Sequence, residues 1–186
     1  MIDTRQGILD VAQTMVQARG YNALSFRDVA TAIGVKSSSI HYHFPTKGDL
    51  GAALARRYTD AGKTYLDGLL QGGYDASTLI GHFANVFRAA LESGNRMCLV
   101  GIMAAEQDCL PAIVRVEIVR FTDTCIEWLG GVLSAGSKDL PAKVVNDRAV
   151  AIFGAIQGAQ LVSRGRNDLH VFDKMIGAYR ASGLLP

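Results

Sequence analysis

The chain has 186 residues, 49% of them hydrophobic and 19% charged, with a formal net charge of +2. That is enough apolar material for a sizeable core without staples. No run approaches the roughly 20 apolar residues of a membrane span and no basic-then-apolar leader is visible, so a cytoplasmic protein is expected. Cys98, Cys109 and Cys125 are odd in number and lack C-x-x-C spacing, which points away from a disulfide framework or a zinc site. They read as reduced thiols, and no cofactor or metal is expected.

Charge is distributed unevenly. Up to Lys63 there are 8 Lys or Arg against 5 Asp or Glu, and from Thr64 onward 11 against 12. A basic N-terminal third fits a module that faces nucleic acid and equally fits ordinary surface variation. The pattern of elements has to decide.

Apolar residues recur at spacings of three and four nearly throughout, and only four prolines interrupt them, which predicts an all-α fold. In the first segment Ile8, Val11, Ala12 and Met15 form one stripe, ended by Gly20. Ser25 and Asp28 form a capping pair for a helix from Phe26 to Ile33, with Phe26, Val29, Ala30 and Ile33 on one face and Gly34 as its stop. After Val35 to Ser37 comes a second short helix in which Ile40 and Phe44 turn inward and Pro45 ends the run. Thr46 and Asp49 repeat the capping pattern and open a long helix with Leu50, Leu54, Tyr58 and Ala61 on its buried side. Two helices joined by a tight glycine-containing turn make a helix-turn-helix.

With Ile40 and Phe44 inward, Ser38, Ser39, His41, Tyr42 and His43 remain on the other faces of the second helix. Small hydroxyls permit close approach to base edges and phosphates, and Tyr42 suits a phosphate contact. Lys47, in the first turn of the next helix, suits another. The candidate DNA-binding set is Arg27, Lys36, Ser37, Ser38, Ser39, His41, Tyr42, His43 and Lys47. His41 and His43, two apart on a helix, point about 200° apart and cannot share one metal ion.

The stretch "ILDVAQTMVQARGYNALSFRDVATAIGVKSSSIHYHFPTKGDL" resembles the N-terminal domain of the tetracycline-repressor-like (TetR/AcrR) family of transcriptional regulators. Gly20-Tyr21, Ala30 with Ile33-Gly34-Val35, and Tyr42-His43-Phe44 followed by Lys47 and Leu50 carry the likeness in order. The resemblance implies a homodimer on a palindromic double-stranded DNA operator, with a three-helix head and a larger helical part for effector sensing and dimerisation. It makes Ser37 to His43 the recognition helix, with Tyr42 and Lys47 at phosphates. We divide the chain accordingly into residues 1–63, the DNA-binding domain, and 64–186, the effector-binding and dimerisation domain.

Beyond Gly72-Gly73 the pattern stays helical. Ser77 is the expected cap of a helix bearing Leu79, Ile80, Phe83, Val86, Phe87 and Leu91, ended by Gly94. "NRMCLVGIMAAEQD" reads as one buried central helix, Pro111 opens a long helix with Ile113, Phe121, Cys125, Trp128 and Leu129, and two more run from about Ala142 to Arg164 and from Leu169 to Ser182. In "FGAIQGAQL", Gly154 and Gly158 form a small-residue seam with Phe153, Ile156 and Leu161 nearby. It serves either intramolecular packing or a dimer interface, and the resemblance, in which the last two helices of each subunit pair, implies the dimer.

Two sensing mechanisms stay open. If Asn95 caps the central helix, Cys98 sits at its third position, where the helix dipole favours a thiolate. The surrounding segment is similar to a branch of the family that responds to electrophiles and oxidants. Otherwise the cysteines are small core hydrophobes. The alternative to thiol sensing is a non-covalent pocket walled by Phe83, Phe87, Met103, Phe121 and Trp128, with Gln157 as a polar group and Glu106 either orienting a ligand or capping an internal network. The expected function is therefore a ligand- or thiol-responsive DNA-binding regulator, in this family most often a repressor. The alternatives are a constitutive DNA-binding protein without a sensor and a small helical enzyme using Cys98 with His82 or His170 as base. No acid–base pair or phosphate loop supports the enzyme reading.

Overall fold

The computed structural model describes residues 4–136 and 140–186, and every regular element among them is helical. In chain order these are α1 (Thr4–Arg19), α2 (Phe26–Ile33), α3 (Ser37–His43), α4 (Lys47–Leu70), α5 (Ala76–Glu92), α6 (Leu99–Ala104), a 3-10 turn (Gln107–Cys109), α7 (Ala112–Gly136), α8 (Ala142–Arg166) and α9 (Leu169–Ala181). No described helix is long and apolar enough to cross a membrane. The chain forms two compact units, divided inside α4 and inside α7. The first holds the residues up to Asp60 together with Cys98–Phe121, and the second holds Ala61–Met97 and Thr122–Pro186. The first unit thus contains Cys98–Phe121, which a division at Lys63 assigns to the second part.

In the first unit, α1 buries Ile8, Leu9, Ala12 and Val16. This face is rotated slightly from the predicted stripe, because Leu9 and Val16 replace Val11 and Met15, which are half-buried. Gly20 follows at φ 88°, a left-handed turn that glycine adopts without steric penalty. α2 has the predicted ends. The Ser25 hydroxyl accepts the Asp28 N–H, and Gly34 at φ 73° donates back toward Thr31 while Val35 N–H reaches the Ala30 carbonyl at 3.0 Å.

α3 has only seven residues and no side-chain cap, and Ile40 is its one buried residue. Phe44, just past its end, is also buried. The joint to α4 is a reciprocal capping box: Thr46 N–H donates to Asp49 Oδ2 at 2.9 Å, and Asp49 N–H donates to Thr46 Oγ1 at 3.1 Å. Leu50 and Leu54 are buried as expected, whereas Ala61 is exposed.

The second unit packs α5, α8 and α9 with the adjoining parts of α4 and α7. Ile80, Phe83 and Phe87 of α5, Leu129 and Val132 of α7, Ile152 and Ile156 of α8, and Phe172 and Ile176 of α9 form its interior. Each large aliphatic or aromatic side chain so buried contributes about 1.5–3 kcal/mol. The cap of α5 is Asp75, whose carboxylate accepts the Thr78 N–H at 2.8 Å, and not Ser77, whose hydroxyl donates to the Pro186 carbonyl.

The predicted central helix is broken. Asn95 takes φ 53° and its N–H bonds the Leu91 carbonyl at 2.7 Å, so it helps close α5 instead of opening a helix. α6 begins only at Leu99 and ends after six residues.

Replacing Ile40 with alanine removes the sole buried anchor of α3. The expected loss is about 2–5 kcal/mol of stability in chemical denaturation, with α3 detached from α2 and α4.

Candidate functional site

The frame around α3 presents an outward polar face. Ser37 and Ser38 are exposed, Ser39 and His43 are half-buried, and Tyr42 is 85% exposed, as large an exposure as any bulky apolar residue shows. Arg27 on α2 and Lys36, which precedes α3, are exposed as well. His41 is less independent than the sequence suggests. Its ring packs edge-on against Phe26 with centroids 4.8 Å apart, and Nδ1 lies 3.4 Å from the Pro45 carbonyl oxygen, so it ties α3 to α2 and to the following turn.

Lys47 is also engaged within its own unit. Its Nζ donates to the Asn22 carbonyl at 3.0 Å and sits 4.8 Å from the centre of the Tyr21 ring. Partial burial pushes its ammonium pKa down, while the charge of Glu106 acts in the opposite direction. Burial pushes the Tyr21 phenol up. Of the two roles open to Glu106, orienting a ligand or capping an internal network, its contacts match the second. Its Oε2 accepts the Asn22 N–H at 2.9 Å, and its Oε1 stands where a Cβ on Gly20 would come within 2.2 Å. Glu106, Asn22 and Lys47 form a polar clamp on the turn between α1 and α2. Sequence reasoning missed Tyr21 and Asn22 as members, since nothing local in the sequence links them to a residue 84 positions away.

Cys98 also departs from expectation. It is the N-cap of the short α6 instead of a residue in a helical first turn, and it is 1% exposed. Reactive thiols are accessible ones, and the exposed cysteine is Cys109. Of the residues predicted to wall a pocket, three come together in the second unit: Phe83 lies 5.2 Å from Phe87 and stacks on Trp128 at 5.8 Å with 16° between planes. Cys98, Met103, Glu106 and Phe121 belong to the first unit. Met103 is fully buried there, and the Phe121 ring lies 5.8 Å from that of Tyr58.

Gln157 is half-buried, and the interior glutamine is instead Gln160, whose Nε2 donates to the Phe87 carbonyl at 2.9 Å. Its signal in the sequence was its place four residues after Ile156 on the apolar stripe of α8. A cleft of about 520 Å³ lies among Leu91, Glu92, Gly94, Asn95, Ser163, Asn167, Asp168 and Leu169, none of them a predicted sensing residue.

On α8 the predicted seam is mixed. Gly154 is exposed and Leu161 is 60% exposed, Phe153 and Gly158 are half-buried, and Ile156 is fully buried in its own unit, where it is core and not a surface for a partner.

An exposed short helix, set between a glycine turn and a capping box and held by one inward isoleucine, defines a helix-turn-helix protein. The profile described as "Bacterial regulatory proteins, tetR family" matches residues 8–54. The TetR transcriptional regulator of Legionella pneumophila has a solved structure that is 32% identical, covering 98% of each chain at a TM-score of 0.91. The chain belongs to the tetR family. Among curated relatives, the HTH-type transcriptional repressor KstR2 of Rhodococcus jostii is 28% identical over 137 residues, which is 73% of this chain and just under two thirds, 66%, of that relative's length. The reduced form of NemR from E. coli shares the fold, at 18% identity, 95% and 94% coverage and a TM-score of 0.83.

Gly20→Ala places a side chain at positive φ and against the Glu106 carboxylate. It should cost at least about 1–2 kcal/mol in denaturation experiments. Glu106→Ala, which leaves the Asn22 N–H without its acceptor, should cost about 1 kcal/mol, and adding it to Gly20→Ala should relieve the steric part of that penalty alone.

Proposed function

We propose that the chain is a homodimeric transcriptional repressor without catalytic activity, acting in the cytoplasm. In this reading residues 1–63 bind a palindromic double-stranded operator and residues 64–186 carry the effector and dimer functions. The observation that carries the reading is the outward face of α3, where six of seven residues are polar or aromatic and Ile40 alone is buried. A recognition helix lays such a face in the major groove. Ser37, Ser38 and Ser39 approach base edges and phosphates, and Tyr42 reaches a phosphate. Lys47 commits one donor to Asn22, and an ammonium has two more for a phosphate oxygen. Arg27 and Lys36 add positive charge along the backbone. His41 and His43 complete the face, with His41 also bracing it.

Dimerisation is assigned to α8 and α9. Gly154, Leu161 and Val162 leave an exposed apolar and small-residue strip on α8, and two heads are needed to read two half-sites. An effector favours the dimer conformation whose heads no longer fit the half-site spacing, and it does so only by binding the two conformations differently. The aromatic group Phe83, Phe87 and Trp128 supports a non-covalent effector, and the burial of Cys98 speaks against a surface thiol switch at that residue.

The test is selection of bound duplexes from a random library at fixed salt, followed by fluorescence anisotropy on the selected site and on a scrambled duplex. Tight binding to one palindrome supports the reading, and indifference to sequence overturns it. Tyr42→Ala should weaken binding to all duplexes by about 1 kcal/mol or more, whereas Ser38→Ala should change which base is preferred. Lys47→Ala should weaken binding on every sequence and lower the salt slope by about one.

A further inference from the structure

We propose that Trp128 donates its indole N–H to the neutral carbonyl oxygen of an apolar effector bound beside Phe83. The inference deepens the effector-responsive reading above and rests on it. Trp128 is 9% exposed, and its Nε1 has no hydrogen-bond partner among the described residues. Buried donors are almost always partnered, because an unmade bond away from water disfavours the folded state. The other interior polar groups of this unit follow that rule: Gln160 donates to the Phe87 carbonyl, and the Ser163 hydroxyl donates to the Asp168 carbonyl. A phenylalanine would pack on Phe83 without burying a donor. The indole N–H is thus a polar group for which the unit itself supplies no use.

The chemistry of the partner follows from the surroundings. An indole N–H only donates, so the ligand must bring the acceptor. Phe83 stacks on the indole, Phe87 lies against Phe83, and Cys125, Leu129 and Val132 on the adjoining turns of α7 are also buried, so the body of the ligand is apolar. Arg88, one residue beyond Phe87, is committed to Asp173 and Glu92, each at 2.7 Å. A carboxylate or phosphate drawn into this cluster would be desolvated with no cation assigned to it. A ketone, ester or thioester oxygen meets the requirement.

Trp128 is the single tryptophan of the chain, so its emission reports on this position alone. The experiment titrates the full chain, without DNA, with 2-nonanone and separately with nonanoate, following emission and thermal stability. The expected result is a saturable change with the ketone and binding at least about tenfold weaker for the carboxylate. Trp128→Phe, followed by thermal shift, should bind the ketone about tenfold or more weakly, the scale of one lost hydrogen bond. If that variant does not fold, biosynthetic replacement of the indole by benzothiophene keeps the shape and removes the N–H, and should show the same loss.

The proposal is overturned if the ketone gives no saturable effect. It is equally overturned if nonanoate binds as tightly, or if removing the N–H leaves ketone affinity unchanged, as it would were the donor served by water alone. Because no readout uses DNA, failure here is separate from failure of operator selection, which would overturn the regulator reading by itself.

Discussion

A helix of seven residues is too short to be stable alone, since isolated helices below about 12–15 residues are marginal in water. The outward polar face of this protein's helix-turn-helix depends on how α3 is pinned. One side chain, Ile40, holds it from within, and two rigid joints set its direction: the left-handed Gly34 before it and the Thr46–Asp49 capping box after it. On the outer face, His41 adds to this anchoring by packing on Phe26 and meeting the Pro45 carbonyl, while Ser37, Ser38 and Tyr42 are exposed. That exposure lets the face change its chemistry while the frame stays the same.

The clamp behind the head extends the logic. The turn between α1 and α2 closes on Gly20 and exposes the main-chain N–H and carbonyl of Asn22, one satisfied by Glu106 and the other by Lys47. A carboxylate from the segment after α6 and an ammonium from the first turn of α4 thereby hold the two peptide groups that flank the Asn22 Cα. Lys47 is in this way both part of the head's surface and part of its fastening. Under the proposed function, a substitution there would combine loss of a phosphate contact with loosening of the turn, whereas one at the exposed Tyr42 would leave the clamp intact.

The head was legible in the sequence because most of its boundaries are written in local chemistry: the Ser25 cap and Gly34 stop of α2, Pro45 after α3 and the Thr46–Asp49 box opening α4 occur in order. The remainder was legible as helical but not in its details. Asn95 illustrates the reason. Asparagine is favoured both at the start of a helix and in the left-handed turn that closes one, and only the packing of α5 decides between them, which moved Cys98 out of its expected first turn. Similarly, Gln157 and Gln160 are alike by composition, and the register of α8 alone determines which amide is interior. Phe83, Phe87 and Trp128, grouped by their apolar bulk, do meet, whereas Met103 and Phe121 of the same group belong to the first unit. The orphaned donor on Trp128 is a matter of orientation that no spacing reveals.

Gln160 also has a mechanical meaning. Its amide, fully enclosed, meets the carbonyl of Phe87 and binds α8 to α5 at a single setting. A small slide of one helix along the other would leave that amide facing hydrocarbon, while a slide of a full turn, about 5.4 Å, would offer it the next carbonyl in the ladder. By this geometry the pair has discrete settings one turn apart. A displacement of α8 along α5 would then favour a full turn over a partial shift.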